Sequence, residues 1–193
     1  MNHFFNLILL CITFSCYGQS NSHMNNNFEV NQDSIVYLKK CIAFIKEVNK
    51  KDLSNTYLIL SDKPYSFNYS NCIKELLLDS STFTKEEFSS IKNGIYPSLT
   101  KWTIELLGNI KIVSHDTIRS IIRDESKGWS YFHKKIGHDY TSFSVPIFSR
   151  NGKYCLFYSE YNCGSLCGVG GLTLYIKKNN KWRALKNYCV WAS

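Results

Sequence analysis

The chain lacks an apolar run long enough to cross a bilayer, which takes about 20 residues. It also lacks internal repeats, and its one low-complexity tract is the polar stretch Gln19 to Asn27. Proline is scarce, at three residues. Pro64 marks a turn, Pro97 stops a helix, and Pro146 confines its strand to an edge or a bulge, because proline cannot donate to a ladder. Catalytic signatures are missing as well. Cys163 and Cys167 have three residues between them, not the two of a redox-active pair. Ser165 lies between glycine and leucine, outside the Gly-x-Ser-x-Gly pattern of hydrolases. No Lys-Ser or Lys-Thr follows Gly168, Gly170 and Gly171, which argues against a phosphate loop. These absences exclude the sequence-evident enzymes and leave compartment, fold class and surface charge as what can be read.

The run Phe4 to Phe14 has about 10 mostly apolar residues, the length of the core of a secretory signal. No Lys or Arg precedes it. We read residues 1–19 as a signal peptide and 20–32 as a flexible lead-in. Cys16, just after the run, is also a site where a lipid would tether the mature protein to a membrane. The expected address is exported: periplasmic, secreted, or membrane-tethered if Cys16 is lipidated.

Six cysteines follow the leader: Cys41, Cys72, Cys155, Cys163, Cys167 and Cys189. An even count in an exported chain suggests disulfides. Six cysteines allow about 15 pairings, among which sequence does not choose. Cys163 and Cys167, four apart, read as a local staple. A zinc site there would need two further ligands at comparable spacing.

Acidic residues are scarce in the second half. From Ser20 to Thr100 there are nine acidic and nine basic side chains. From Lys101 to Ser193 there are six against fourteen, so the whole formal charge of +8 lies there. A basic surface attracts anionic partners: an acidic glycan, a lipid headgroup or another envelope protein. Export argues against nucleic acid. Lys177, Lys178, Lys181 and Arg183 are the candidate ligand-binding residues.

The first half reads as helical. Ile35, Leu38, Ile42, Ile45 and Val48 recur at helical spacing, with Cys41 on the same face. Asn71 caps a second helix with Ile73, Leu76 and Leu77 inward. A third is framed by a capping box, Thr84 and Glu87, and a hydrophobic staple, Phe83 and Phe88. Gly94 and Pro97 end it. Trp102–Leu107 and Ile110–Val113 are expected to form a hairpin about Gly108-Asn109. Asp116–Asp124 reads as a short helix with Ile118, Ile121 and Ile122 buried. Tyr57–Leu60 is a short apolar run of undecided type and Lys127–Lys135 a mixed segment; the last quarter reads as strands: Phe143 to Ile147, Tyr154 to Tyr158, Leu172 to Lys177 and Trp182 to Trp191. Asn151-Gly152 and Asn179-Asn180 supply turns, and Cys163–Gly171 a glycine-rich elbow whose glycines give backbone freedom at a bulge or turn.

Few side chains suggest chemistry. His133, His138 or Glu160 in a cleft would serve a hydrolase of envelope or extracellular polymers. A lone carboxylate carries no mechanism, and a solvated loop is the simpler reading of the histidines. Trp129, Tyr131, Trp182, Tyr188 and Trp191 are expected as core or strand-pair aromatics, with sugar stacking as the alternative.

Gly128-Trp129 with Phe132, Ser144-x-Pro146-x-Phe148-Ser149, Cys163-Gly164-x-Leu166-Cys167-Gly168-x-Gly170, Asn180-Lys181-Trp182 and Trp191-Ala192-Ser193 together resemble a group of small exported bacterial proteins of unknown function. The resemblance covers the last third of the chain. It implies an exported address and carries over no activity, cofactor or site residue. The expectation is an α+β protein: one domain over residues 33–193, with N-terminal helices covering one face of a mainly C-terminal antiparallel sheet. No catalytic, metal or cofactor residue is assigned. The expected function is a non-enzymatic binding or interaction module.

Overall fold

The computed structural model describes residues 32–66, 71–93 and 99–193. The expected leader, Cys16, nearly all of the lead-in, Gly94 and Pro97 lie outside the described residues.

The protein is α+β. Helices α1 (Gln32–Val48) and α2 (Lys50–Leu53) lead into strand β1 (Ile59–Ser61). Then come α3 (Asn71–Leu78), α4 (Lys85–Asn93), α5 (Ile104–Leu107), β2 (Lys111–Val113), α6 (His115–Arg123) and α7 (Gly128–Lys135). Five strands close the chain: β3 (Tyr140–Phe143), β4 (Ile147–Ser149), β5 (Tyr154–Gly164), β6 (Cys167–Lys178) and β7 (Lys181–Ala192). They form one seven-stranded sheet in the order β2-β1-β3-β5-β6-β7, with β4 also paired to β5.

The sheet is mixed, a departure from the antiparallel expectation. β1 runs parallel to both β2 and β3. Its residues are buried on both faces, as parallel strands are. The hairpin expected about Gly108-Asn109 is absent. Trp102 is 1% exposed and pinned, its amide donating to the Asp62 carbonyl at 2.6 Å and its indole to the Phe143 carbonyl at 3.2 Å. The chain then takes one helical turn, reverses at Gly108 with φ +99°, and delivers Lys111–Val113 to β1. Long-range anchoring of Trp102 thus overrides a weak local turn signal.

Helices cover both faces of the sheet, not one. Alternate residues of β5 enter opposite cores. Leu156 and Tyr158, with Leu172, Leu174 and Tyr188, pack on Cys72 and Leu76 of α3, Phe83, and Ile91 of α4. Cys155 and Phe157, with Phe143, pack on Phe44 and Ile45 of α1 and on Trp102 and Leu107. Phe44 meets Phe148, Phe157, Tyr175 and Trp182 edge-on at 5.1–5.9 Å, the geometry that ring quadrupoles favour. Ile118, Ile121 and Phe132 of α6 and α7 form a third, smaller cluster.

Several local readings hold. Cys41 is fully buried on α1. The Thr84 amide donates to Glu87 Oε2 at 2.9 Å, and the Glu87 amide to Thr84 Oγ1 at 3.2 Å, so both halves of the capping box form. Phe83 and Phe88 rings lie 5.5 Å apart. On α3, Leu76 faces inward but Leu77 is 44% exposed, because this short helix touches the sheet along a narrow stripe. The strand expected through Pro146 is two strands, β3 and β4, both paired to β5. Between them the Pro146 carbonyl accepts the Tyr37 hydroxyl at 2.8 Å.

Candidate functional site

Two tight turns build the site. Asn179 and Asn180 take φ of 50° and 58° between β6 and β7, a conformation that asparagine tolerates in two-residue hairpins. Arg150, Asn151 and Gly152 take 48°, 55° and 80° between β4 and β5. The turns lie side by side because β5 and β6 are neighbours: the Lys177 amide donates to the Lys153 carbonyl at 2.8 Å. This pairing and strand alternation place Lys153 and Lys177 opposite each other on the α1 face. Lys40 reaches over from α1, and a Cβ added to Gly152 would overlap its ammonium.

The three lysines line one open recess of about 480 Å³ together with Asn151, Gly152, Asn179 and Asn180. Each ammonium has an aromatic ring beneath it. Lys40 Nζ is 4.3 Å from the Phe148 centroid, Lys177 Nζ 5.7 Å from Trp182, and Lys153 Nζ 6.0 Å from Tyr154. Among the described residues, no carboxylate lines the recess. Among the described residues, none of the ion pairs includes these three lysines. Glu47 accepts the Trp182 amide at 2.7 Å. Lys153 and Lys177 stand directly opposed on neighbouring strands, and like charges so placed repel.

Of the four basic residues read from sequence, Lys177 alone lines this recess. Lys178 pairs with Lys181 and Ile176 with Arg183, so alternation directs Lys178, Lys181 and Arg183 to the sheet's other face. Lys40 and Lys153 were not foreseen. Lys153 had a signal, since it follows the Asn151-Gly152 turn; Lys40 had none.

Cys163 and Cys167 form a disulfide, Cα–Cα 5.0 Å, that clamps the tip of the β5–β6 hairpin. A second disulfide joins Cys72 of α3 to Cys189 of β7. Cys41 and Cys155 are free and buried. Burial pushes the Cys41 thiol up to about 12 and the Cys155 thiol well above its ordinary value, so both are poor nucleophiles. The glycine segment is not only a bend. Gly168 and Gly170 lie within β6, where a Cβ would come to 3.0 Å and 2.6 Å from the Trp191 indole. Their chief use is space for that ring, which donates to the Tyr158 hydroxyl at 2.9 Å.

Among the described residues, no hydrogen bond joins His133, His138 or Glu160 to one another. His133 Nε2 lies 3.1 Å from the Cys163 carbonyl, and the two imidazole centroids are 6.3 Å apart. Glu160 accepts the Tyr158 hydroxyl at 3.0 Å. Trp129 stacks on Tyr140, Trp182 lies against Phe44, and Tyr188 is buried; Tyr131 is 38% exposed. A second groove of about 480 Å³ runs along β5 and β6 past α2. Asp52, Asp139 and Glu160 are its charged residues, with Tyr161, Thr173 and Asn187 among the others. Among the described residues no helix is long and apolar enough to cross a membrane. No protein-family model, curated protein or solved structure matches the chain.

Proposed function

We propose that this is a non-enzymatic binding protein of the exported space, and that the Lys40–Lys153–Lys177 recess holds an anionic glycan. The observation that carries the reading is three lysines lining one recess with, among the described residues, no carboxylate in the lining. A sulfate, phosphate or carboxylate in their midst turns mutual repulsion into attraction. The side-chain amides of Asn151, Asn179 and Asn180 supply donors and acceptors for sugar hydroxyls. The recess has no large apolar residue in its lining, which suits a hydrated polymer better than an inserted lipid. Export rests on the apolar leader, the resemblance of the last third, and two disulfides, which persist in oxidising compartments.

The test is binding to a sulfated oligosaccharide, measured by calorimetry over a series of salt concentrations. Affinity is expected to fall steadily with salt. Replacing Lys40, Lys153 and Lys177 together by glutamine should weaken it about tenfold, at about 0.5 kcal/mol per exposed charge. The matched triple K178Q/K181Q/R183Q should change it by less than about threefold. Equal losses from both triples, or no salt dependence, would defeat the reading. Binding of anionic-lipid vesicles in preference to the oligosaccharide would replace the glycan with a membrane.

A further inference from the structure

A different cleft carries a different ligand. On α6 the residues His115, Arg119 and Arg123 recur every four positions and share one side of the helix. They line a recess of about 440 Å³ with Ile118, Ile122 and Tyr140. Among the described residues neither arginine enters an ion pair. Asp116 on α6 and Glu125 just after it do not line the recess, and two further acidic groups are engaged elsewhere. Asp62 takes Lys101 at 3.0 Å and the His115 amide at 2.8 Å, and Asp124 takes Lys127 at 2.7 Å. His115 Nδ1 lies 3.5 Å from Ser61 Oγ, which leaves Nε2 as the ring nitrogen open to a ligand.

This lining differs from the lysine recess in two ways. Its cations are guanidiniums, whose planar forks match the oxygens of a phosphate two at a time. It also has an apolar wall, formed by Ile118, Ile122 and the Tyr140 ring. Tyr140 is held in place by stacking on Trp129 at 5.9 Å. The volume falls in the range of small-molecule sites, about 300–1,000 Å³. We infer that this cleft binds a small organic phosphate monoester, its phosphoryl group on Arg119 and Arg123 and its organic part on the apolar wall. His115 Nε2 adds a hydrogen bond to the phosphoryl oxygens.

The probes are phenyl phosphate and inorganic phosphate, titrated calorimetrically into the full chain at constant ionic strength. Phenyl phosphate should bind several-fold tighter than inorganic phosphate, because only it uses the wall. R119Q and R123Q should each weaken phenyl phosphate about tenfold. R119K, which keeps the charge but loses the fork, should recover only part of that loss. The K40Q/K153Q/K177Q triple should leave the preference for phenyl phosphate over inorganic phosphate unchanged, so this inference and the glycan reading fail separately. Both arginines are exposed, and unchanged thermal melting will show that the variants fold. No binding at millimolar phenyl phosphate, wild-type binding by R119Q and R123Q, or full rescue by R119K would each overturn the assignment.

Discussion

Asp79 receives Lys186 Nζ at 2.8 Å, the Tyr188 hydroxyl at 2.6 Å and the Ser81 hydroxyl at 2.7 Å while it is only 8% exposed. Burial alone would raise its pKa. Hydrogen bonds from Lys186, Thr82, Tyr188 and Ser81 outweigh that and hold the carboxyl well below the ordinary range. A carboxylate depressed in the folded state stabilises the protein above its unfolded pKa, about 3.9. That contribution is lost as pH falls through and below that value. Urea midpoints measured from pH 7 down to pH 3 should therefore decline, and D79N should flatten the decline while costing about 2 kcal/mol at pH 7. Parallel curves for the two proteins would show that another carboxylate governs acid unfolding. Nothing in the sequence marks Asp79, because Lys186 and Tyr188 stand 107 and 109 positions away. Local signals carry no information about such partners. The same holds for the cysteines: their number suggested bridges and the α1 periodicity turned Cys41 inward, but the pairing of Cys72 with Cys189 emerges only from the fold.

Elements defined by short-range chemistry were legible. The capping box at Thr84 and Glu87, the amphipathic stripes of α1 and α6, and the asparagine turns all depend on residues within one or two turns of each other. Glu87 shows where that legibility stops: the carboxylate that caps α4 also binds Arg150 at 2.7 Å, tying the helix to the β4–β5 turn. The strand at Ile110–Val113 was legible as β2, but its parallel partner was opaque, since β1 is three residues long and pairs only with strands remote in the chain. The glycine segment was visible, and the sheet does bulge beside it, but the space it leaves for a ring was not. At Gly170 a Cβ would lie 2.6 Å from Trp191 Nε1 and 2.8 Å from Glu160 Cβ, distances no packed side chain tolerates. G170A should therefore destabilise the protein by about 1–3 kcal/mol through overpacking. Indole fluorescence should report the displaced Trp191, and the cost of G170A should shrink in a W191A background, where only the contact with Glu160 Cβ remains. A single substitution as stable as the parent would mean that the ring has room, and that the glycine is there for its backbone.

For the whole molecule, the outer strand β7 decides how the two halves of the chain are joined. It has β6 on one side only. On its other side Glu47 of α1 accepts the Trp182 amide and Glu75 of α3 accepts the Cys189 amide, so both helical layers cover part of an exposed edge. Charge counted by halves missed this joining: it placed the basic site in the second half, yet Lys40 of the first completes the recess. The Cys72–Cys189 bridge fastens the same junction across 117 residues, whereas Cys163–Cys167 closes a span of four. If disulfides act chiefly by restricting the unfolded chain, the long closure contributes about 5 kcal/mol and the short one about 2 kcal/mol. C72S/C189S should accordingly lower the urea midpoint more than twice as far as C163S/C167S. The shorter closure constrains one hairpin tip, so its removal should also leave the unfolding cooperative. Protein made under reducing conditions should match the quadruple variant in stability. Equal midpoint losses from the two pairs, or a larger loss from the hairpin pair, would show that the bridge between α3 and β7 is incidental and that the helices and the Glu47 and Glu75 contacts hold the junction unaided.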